Sequence, residues 1–283
     1  MSDPFKIDGP TCISFSGGRT SAFLLYQILQ ANNGLPEETY VCFANTGKED
    51  EATLQFVNDC SVNWNIKINW LEYRYKNDEI SFEVVNFQTA SRNGEPFDQV
   101  IKKREPSLPN GRSRYCSSEL KTRTMHRFLR SIGLTEWDTF LGIRADEPKR
   151  VYKFRTNPHP EGKHETVFLP LVANGISSFD VGNFWKSQSF DLKLPNHNGK
   201  TMHGNCDLCM LKPKSQILSL ITEKPERATW WIKKEAEAEK RCTGDGKFFA
   251  IDRPSYKQML NFSQQQNDMF DPEEEAISCF CGD

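Results

Sequence analysis

An α/β fold with a parallel sheet and crossover helices is what this 283-residue chain predicts. Three observations predict it. Short apolar runs at 11–15 (TCISF), 39–44 (TYVCFA) and 66–73 (IKINWLEY) read as strands. Helical patterns separate them, giving the order β-α-β-α-β that parallel neighbours require. A later run, DTFLGI at 138–143, has the same build and supplies a further strand.

The elements follow in order. The first strand runs into Ser16-Gly17-Gly18, a tight turn. Ala22, Leu25, Tyr26 and Leu29 then recur at i, i+3, i+4 and i+7, one face of a helix. Asn32-Asn33-Gly34 and Pro36 stop it. The second strand gives way to Asn45-Thr46-Gly47 and a helix from Asp50 to Asp59; the third strand alternates. After residue 150 the texture changes. ETVFLPL reads as a strand, and Ser178-Phe179-Asp180 opens a helix carrying Phe184 and Trp185. Residues 195–206 form a loop, and helices over 212–222 and 225–240 meet at Pro225. Trp230-Trp231 sits in the second of these and reads as core. Residues 243–278 have the polar composition of a mobile arm, although the chain ends in SCFCGD. Two parts are expected: an α/β domain over 1–155 and a helical, cysteine-bearing region over 156–283.

With 37% apolar residues, 26% charged residues and a net charge of −2, the chain reads as soluble and not as a uniformly basic nucleic-acid coat. No run is long enough to span a bilayer, and MSDPFKIDGP lacks a signal peptide's build, so a cytoplasmic protein without membrane contact is expected. Nine cysteines in a reducing compartment point to metal binding or catalysis before disulfides. Cys12, Cys42 and Cys60 lie among apolar residues and read as core. Cys116, Cys206, Cys209, Cys242, Cys279 and Cys281 lie in polar or turn-rich settings; Cys242 is treated as incidental.

A glycine loop between a buried strand and a helix exposes unpaired backbone N–H groups at the positive end of the helix dipole. Glycine lets the backbone approach an anion, and Ser16, Thr20 and Ser21 add hydroxyls, so the loop suits phosphate. A plain serine-capped turn is the alternative. Neither the ATPase phosphate-loop pattern nor the dinucleotide G-x-G-x-x-G is present.

Residues 112–130 hold six basic side chains against one acid, Glu119. Arg114 and Lys121 flank Cys116 and read as anion ligands; Arg127 and Arg130 read as a solvated helix face. Ser117 or Ser118 is positioned to cap the helix that follows. LGIRADEPKR places Arg144 just past a strand's carboxyl end, where open α/β sheets bind ligands. Arg144 and Arg150 are expected to hold phosphate, Asp146 to bind Mg²⁺ or Arg144, with a local salt-bridge network as the plain alternative. Cys206-x-x-Cys209 is a ready chelating pair, open to zinc, an iron–sulfur cluster or redox use. His203 stands near it in the loop, where solvation is the simpler reading.

S-G-G-x-x-S after the first strand resembles the pyrophosphate loop of the adenine-nucleotide α-hydrolase families, which include ATP pyrophosphatases and phosphoadenosine phosphosulfate (PAPS) reductases. Phe43-Ala44-Asn45-Thr46-Gly47-Lys48-Glu49 followed by a helix is similar to the turn after the second strand in the PAPS reductase branch, and LGIR to its glycine-arginine turn. FDVGNFWKSQSFDLKLPN followed by GNCDLCMLK is similar to the PAPS reductase-like proteins of phages and bacteria. The likeness covers most of residues 11–232. It implies a Rossmann-like domain with Ser14, Ser16, Gly17, Gly18, Arg19, Thr20, Ser21, Phe43, Asn45, Thr46 and Gly47 around an adenine nucleotide. Arg19-Thr20 departs from the Lys-Asp of many members, whose Asp lies near magnesium and the triphosphate. The doubled glycine leans toward ATP over PAPS or adenosine phosphosulfate (APS).

By the same resemblance, Cys116, Cys206, Cys209 and one of Cys279 and Cys281 would hold a [4Fe–4S] cluster, leaving the other tail cysteine as a catalytic thiol. A three-ligand cluster and structural zinc are the alternatives. Tyr115 stands where the reductases have a paired cysteine, and SCFCGD replaces their tail motif. The implied reaction starts from Mg·ATP, transfers AMP to an acceptor oxygen with Arg144 steadying the phosphate charge, and replaces AMP with sulfur from a donor. The acceptor is a nucleic acid or a small molecule, and a homodimer is allowed. The rivals are a sulfonucleotide reductase that releases sulfite and a non-catalytic nucleotide- and zinc-binding regulator.

Overall fold

A computed structural model describes residues 3–156, 164–197 and 200–265. Six strands form one sheet in the order β4-β3-β2-β1-β5-β6. They are β1 (Thr11–Ser14), β2 (Thr39–Asn45), β3 (Ile68–Lys76), β4 (Glu79–Val85), β5 (Trp137–Leu141) and β6 (Glu165–Phe168). All neighbours run parallel except β3 and β4, a hairpin at one edge. β4 is absent from the sequence reading because its side chains are mostly exposed and carry little apolar alternation.

Helices α1 (Arg19–Asn32) and α2 (Glu51–Asn63) make the first two crossovers. Asp50 caps α2 by accepting the Ala52 N–H. The chain then turns back through α3 (Glu95–Arg104), a short helical turn α4 (Tyr115–Ser117), a π turn over Ser118–Thr122, and α5 (Arg123–Ser131) to reach β5 on the other side of β1. The sheet therefore has its topological switch point between β1 and β5. Beyond β5 come α6 (Pro148–Thr156), α7 (Pro170–Ala173), α8 (Ser178–Lys186), α9 (Lys214–Glu223), α10 (Ala228–Glu239) and α11 (Tyr256–Gln265).

Three apolar clusters hold these layers. One joins β1 and β2 to α1, α2 and α8 through Ile13, Leu24, Phe56, Val57 and Trp185. A smaller one on α5's side contains Cys12, Cys42, Phe128 and Trp137. Cys12, Cys42 and Cys60 are all buried, and burial pushes the Cys42 and Cys60 thiols up and keeps them protonated. The third cluster joins α3 to the C-terminal helices through Phe97, Leu208, Trp231, Phe249 and Tyr256.

β6 and α8, both past residue 155, complete the sheet and its first core. One expectation changes. Residues 243–265 are not an arm: Phe249, Tyr256 and Met259 are buried, each such side chain contributing about 2 kcal/mol. Residues 266–283, with Cys279 and Cys281, lie outside the described residues. Among the described residues, no helix is long and apolar enough to cross a membrane.

Candidate functional site: a switch-point crevice beside a thiol cleft

Three turns leave the carboxyl edge of the sheet side by side. After β1, Gly17 takes φ +79°. A Cβ there would stand 2.8 Å from Thr53 Cγ2 and 3.0 Å from Val57 Cγ2, so only glycine lets the loop lie on α2. Gly18 is the N-cap of α1 and offers its first-turn N–H groups no side chain. These remain the orphan donors of a helix N-terminus. Ser21 shapes the loop: its hydroxyl donates to Gly18 O, accepts the Ser16 N–H and meets Ser16 Oγ at 2.9 Å. Ser14 ends β1, with its hydroxyl against Met125 Sδ. The Arg19 fork is turned away onto Asp191, at 2.7 and 2.6 Å.

After β5, Gly142 lets that strand's end approach α1; a Cβ there would lie 3.0 Å from Ser21 Cα. Arg144 Nη1 then donates to Thr20 Oγ1 at 2.8 Å, and Arg144 Nε to Asp146 at 2.9 Å. Asp146 also accepts the Ser178 N–H. Burial alone would raise the Asp146 carboxyl, but the hydrogen bonds from Ser178 and Arg144 outweigh it and hold it below the usual range. Glu147 accepts the Arg144 N–H and binds Arg150. Asp146 thus engages Arg144 within a local salt-bridge network that includes Glu147 and Arg150.

The turn after β2 is buried. Asn45 donates to Glu72 and Ser91 O and accepts the Gly47 N–H, fixing the turn from inside. Phe43 packs against Gly17, and Gly47 packs against Gly94. Thr46 lines a small cleft together with Cys116, Lys121, Cys206 and Cys209. Three cysteines from sequence positions 90 residues apart thereby face one space. Cys242 lies elsewhere, against Ser107.

The basic run is less free than its composition suggests. Glu119 is buried and accepts Arg104, Arg123 and Arg127. Its own burial would raise its carboxyl; the three guanidinium groups outweigh that and lower it. Arg127 also lies over the Tyr73 ring, so it is not a solvated face residue, whereas Arg130 is exposed. The π turn replaces the expected serine cap. Arg114 donates to Gly111 O, and Lys121 reaches the cleft wall. His203 pairs with Glu223 at 2.7 Å, not with the cysteines. Trp231 is fully buried and donates to Asp207, while Trp230 donates to Asp98, as core and framework residues do. Asp207, which pairs with Lys48, and Asp191, which pairs with Arg19, are contacts of these turns that local sequence signals do not reveal.

A parallel sheet with a glycine loop and an arginine turn meeting at its switch point defines a nucleotide-binding class of α/β protein. The chain belongs to the phosphoadenosine phosphosulfate reductase domain family, whose pattern matches residues 10–187. That stretch contains the glycine loop, Cys116 and Arg144 and ends before Cys206. The chain is 31% identical over 212 residues to the uncharacterized nin region protein ORF290 of Escherichia phage lambda, covering 72% of this chain and 67% of that one. It is 29% identical over 167 residues to the uncharacterized protein MJ0066 of Methanocaldococcus jannaschii, covering 59% of this chain and 29% of that longer protein. The crystal structure of PAPS reductase from Candida auris, a phosphate complex, superposes with a TM-score of 0.42 at 15% identity, over 69% of this chain and 84% of that one.

The donor chemistry around the cleft suits a thiophilic metal or cluster. The arrangement does not complete one: among the described residues, no three Cys, His, Asp or Glu side chains stand close enough to hold a metal ion.

Proposed function

We propose that the chain is a nucleotide-cleaving enzyme of the PAPS reductase family that takes ATP in the switch-point crevice. The observation that carries this is the meeting of the Arg144 guanidinium with Thr20 in the first turn of α1, beside the orphan N–H groups of that turn. Fixed donors of this kind stabilise charge as it develops on phosphate oxygens. An acceptor oxygen attacks the α-phosphorus, the bond to the bridging oxygen breaks, and pyrophosphate leaves. Arg144 and Arg150 hold the phosphates. Sulfur from a donor then displaces AMP from the acceptor.

The thiol cleft favours a second reading, sulfonucleotide reduction. There a thiolate attacks the sulfate sulfur of PAPS or APS and releases the nucleotide; a second thiolate then frees sulfite as a disulfide forms. Anaerobic incubation with each nucleotide separates the two. Pyrophosphate from ATP without sulfite from PAPS or APS supports the first; sulfite without ATP turnover overturns it in favour of the second. Iron, sulfide and zinc analysis of the same preparation tests the cluster: about one zinc without iron excludes [4Fe–4S].

A further inference from the structure

The turn after β2 and the CxxC loop are tied together by backbone and side-chain contacts. Glu49 and Cys206 pair as an isolated antiparallel bridge. Cys206 Sγ lies 3.5 Å from Thr46 Oγ1. The Thr46 hydroxyl donates to the Glu49 carboxylate at 2.9 Å, and the same carboxylate accepts the Thr46 N–H. With its proton engaged there, Thr46 Oγ1 meets a Cys206 thiol as an acceptor.

One residue further on, the Asp207 N–H donates to Lys48 O at 2.7 Å, and Lys48 Nζ returns to Asp207 Oδ2 at 3.1 Å. Lys48 and Asp207 are both buried. Asp207 Oδ1 accepts the N–H groups of Leu208 and Trp231, and the Tyr256 hydroxyl donates to Leu208 O. A buried ion pair adds little net stability over an apolar pair of the same shape; its attested use is to fix register. The register fixed here sets Cys206 against Thr46. Gly17 of the phosphate loop packs on Phe43, Thr53 and Val57, in the two elements that flank this same turn.

We propose that Thr46 is a positioning residue for Cys206, held by Glu49 and kept in register by the Lys48–Asp207 pair, so that the turn beneath the nucleotide crevice sets where the first CxxC thiol stands. The link to nucleotide binding rests on the function proposed above; the positioning itself does not.

The test is amide hydrogen exchange of residues 204–212 in the full chain, with residues 241–248 as internal reference. Thr46→Val keeps the side chain's shape and removes the hydroxyl. Its expected effect without nucleotide is about fivefold faster exchange in 204–212, the size of one hydrogen bond lost. Thr46→Ser restores the wild-type rate, and 241–248 does not change. Lys48→Met with Asp207→Asn removes both charges, keeps Oδ1 for Trp231, and is expected to accelerate the same segment. Wild-type exchange in Thr46→Val, or equal acceleration in 241–248, overturns the proposal.

A second arm adds ATP. Protection of 204–212 in the wild type, lost in Thr46→Val, supports the link. Calorimetric binding of ATP with no change in that segment overturns the link and leaves the nucleotide reading standing. Absence of any binding overturns the nucleotide reading, while the nucleotide-free rates still decide the role of Thr46.

Discussion

Arg144 Nη1 and Thr20 Oγ1 lie 2.8 Å apart, which joins the turn after β5 to the first turn of α1 across the switch point of the sheet. Asp146 holds the Arg144 Nε, so the guanidinium is fixed in orientation. Orientation in advance is what makes a planar fork a good phosphate ligand.

Arg144→Ala is therefore expected to weaken ATP binding about 30-fold, equivalent to about 2 kcal/mol for a charge-assisted contact. Arg144→Lys keeps the charge and loses the fork, and should fall between. Calorimetry reads both. An unchanged dissociation constant in Arg144→Ala would move the phosphates out of this crevice.

Glycine at 17 and at 142 is a packing requirement as well as a backbone one. Gly17→Ala places a methyl against the stiff, β-branched Thr53 and Val57 at positive φ, and should cost about 2 kcal/mol in a denaturant titration. Gly142→Ala meets the backbone of Ser21 and should push the start of α1 away from Arg144. It is expected to impair ATP binding more than it lowers the unfolding midpoint. Equal losses in both measurements would make Gly142 a packing residue only.

Arg19 gives the opposite expectation. Its position beside the glycine loop suggests a phosphate ligand, yet its fork is bound to Asp191, and Trp185 Nε1 donates to its carbonyl. Its side chain joins α1 to the segment after α8. Arg19→Met should cost about 1 kcal/mol of stability, as partly exposed ion pairs do, and change ATP affinity by less than about threefold. A loss matching that of Arg144→Ala would show that Arg19 leaves Asp191 to bind phosphate.

The difference between Arg19 and Arg144 shows where sequence reading stops. The β-α-β-α-β start was legible because Ile13, Leu25, Val41 and Leu54 keep the spacing of elements buried on one face. Helix α3 was not, since only Phe97, Val100 and Ile101 of its apolar stripe stand out among charged residues. The last described segment reads as polar, although Phe249 and Tyr256 fill a core built by residues far upstream. At the site, Cys116, Cys206 and Cys209 stood out by their polar settings and by the CxxC spacing, and they line one cleft. Their partners did not stand out: Thr46 meets Cys206, and Lys48 meets Asp207, across about 160 positions, and no local pattern encodes such a pairing.

Glu235 ties the last described helix to the body of the protein and makes that tie sensitive to pH. It is buried on α10 and accepts the Tyr256 N–H at 3.0 Å, at the start of α11. Burial raises its carboxyl to about 7; the backbone N–H groups of Tyr256 and Phe249 pull the other way without cancelling it, and Glu239 adds to the rise. In the unfolded chain the same group ionises near the ordinary carboxylate value. Between those two values the folded state binds the extra proton, so stability falls as pH rises through this window and levels off above about 7. The size of that loss is on the order of 2–3 kcal/mol. Glu235→Gln keeps an acceptor for Tyr256 and cannot ionise. It should match or fall slightly below the wild type at pH 5 and exceed it at pH 8, and the gap between the two proteins should open between those values. Urea titrations at both pH values measure it. A gap that is constant with pH would mean that Glu235 is ionised in the folded protein throughout, and that another group tunes the hold on α11.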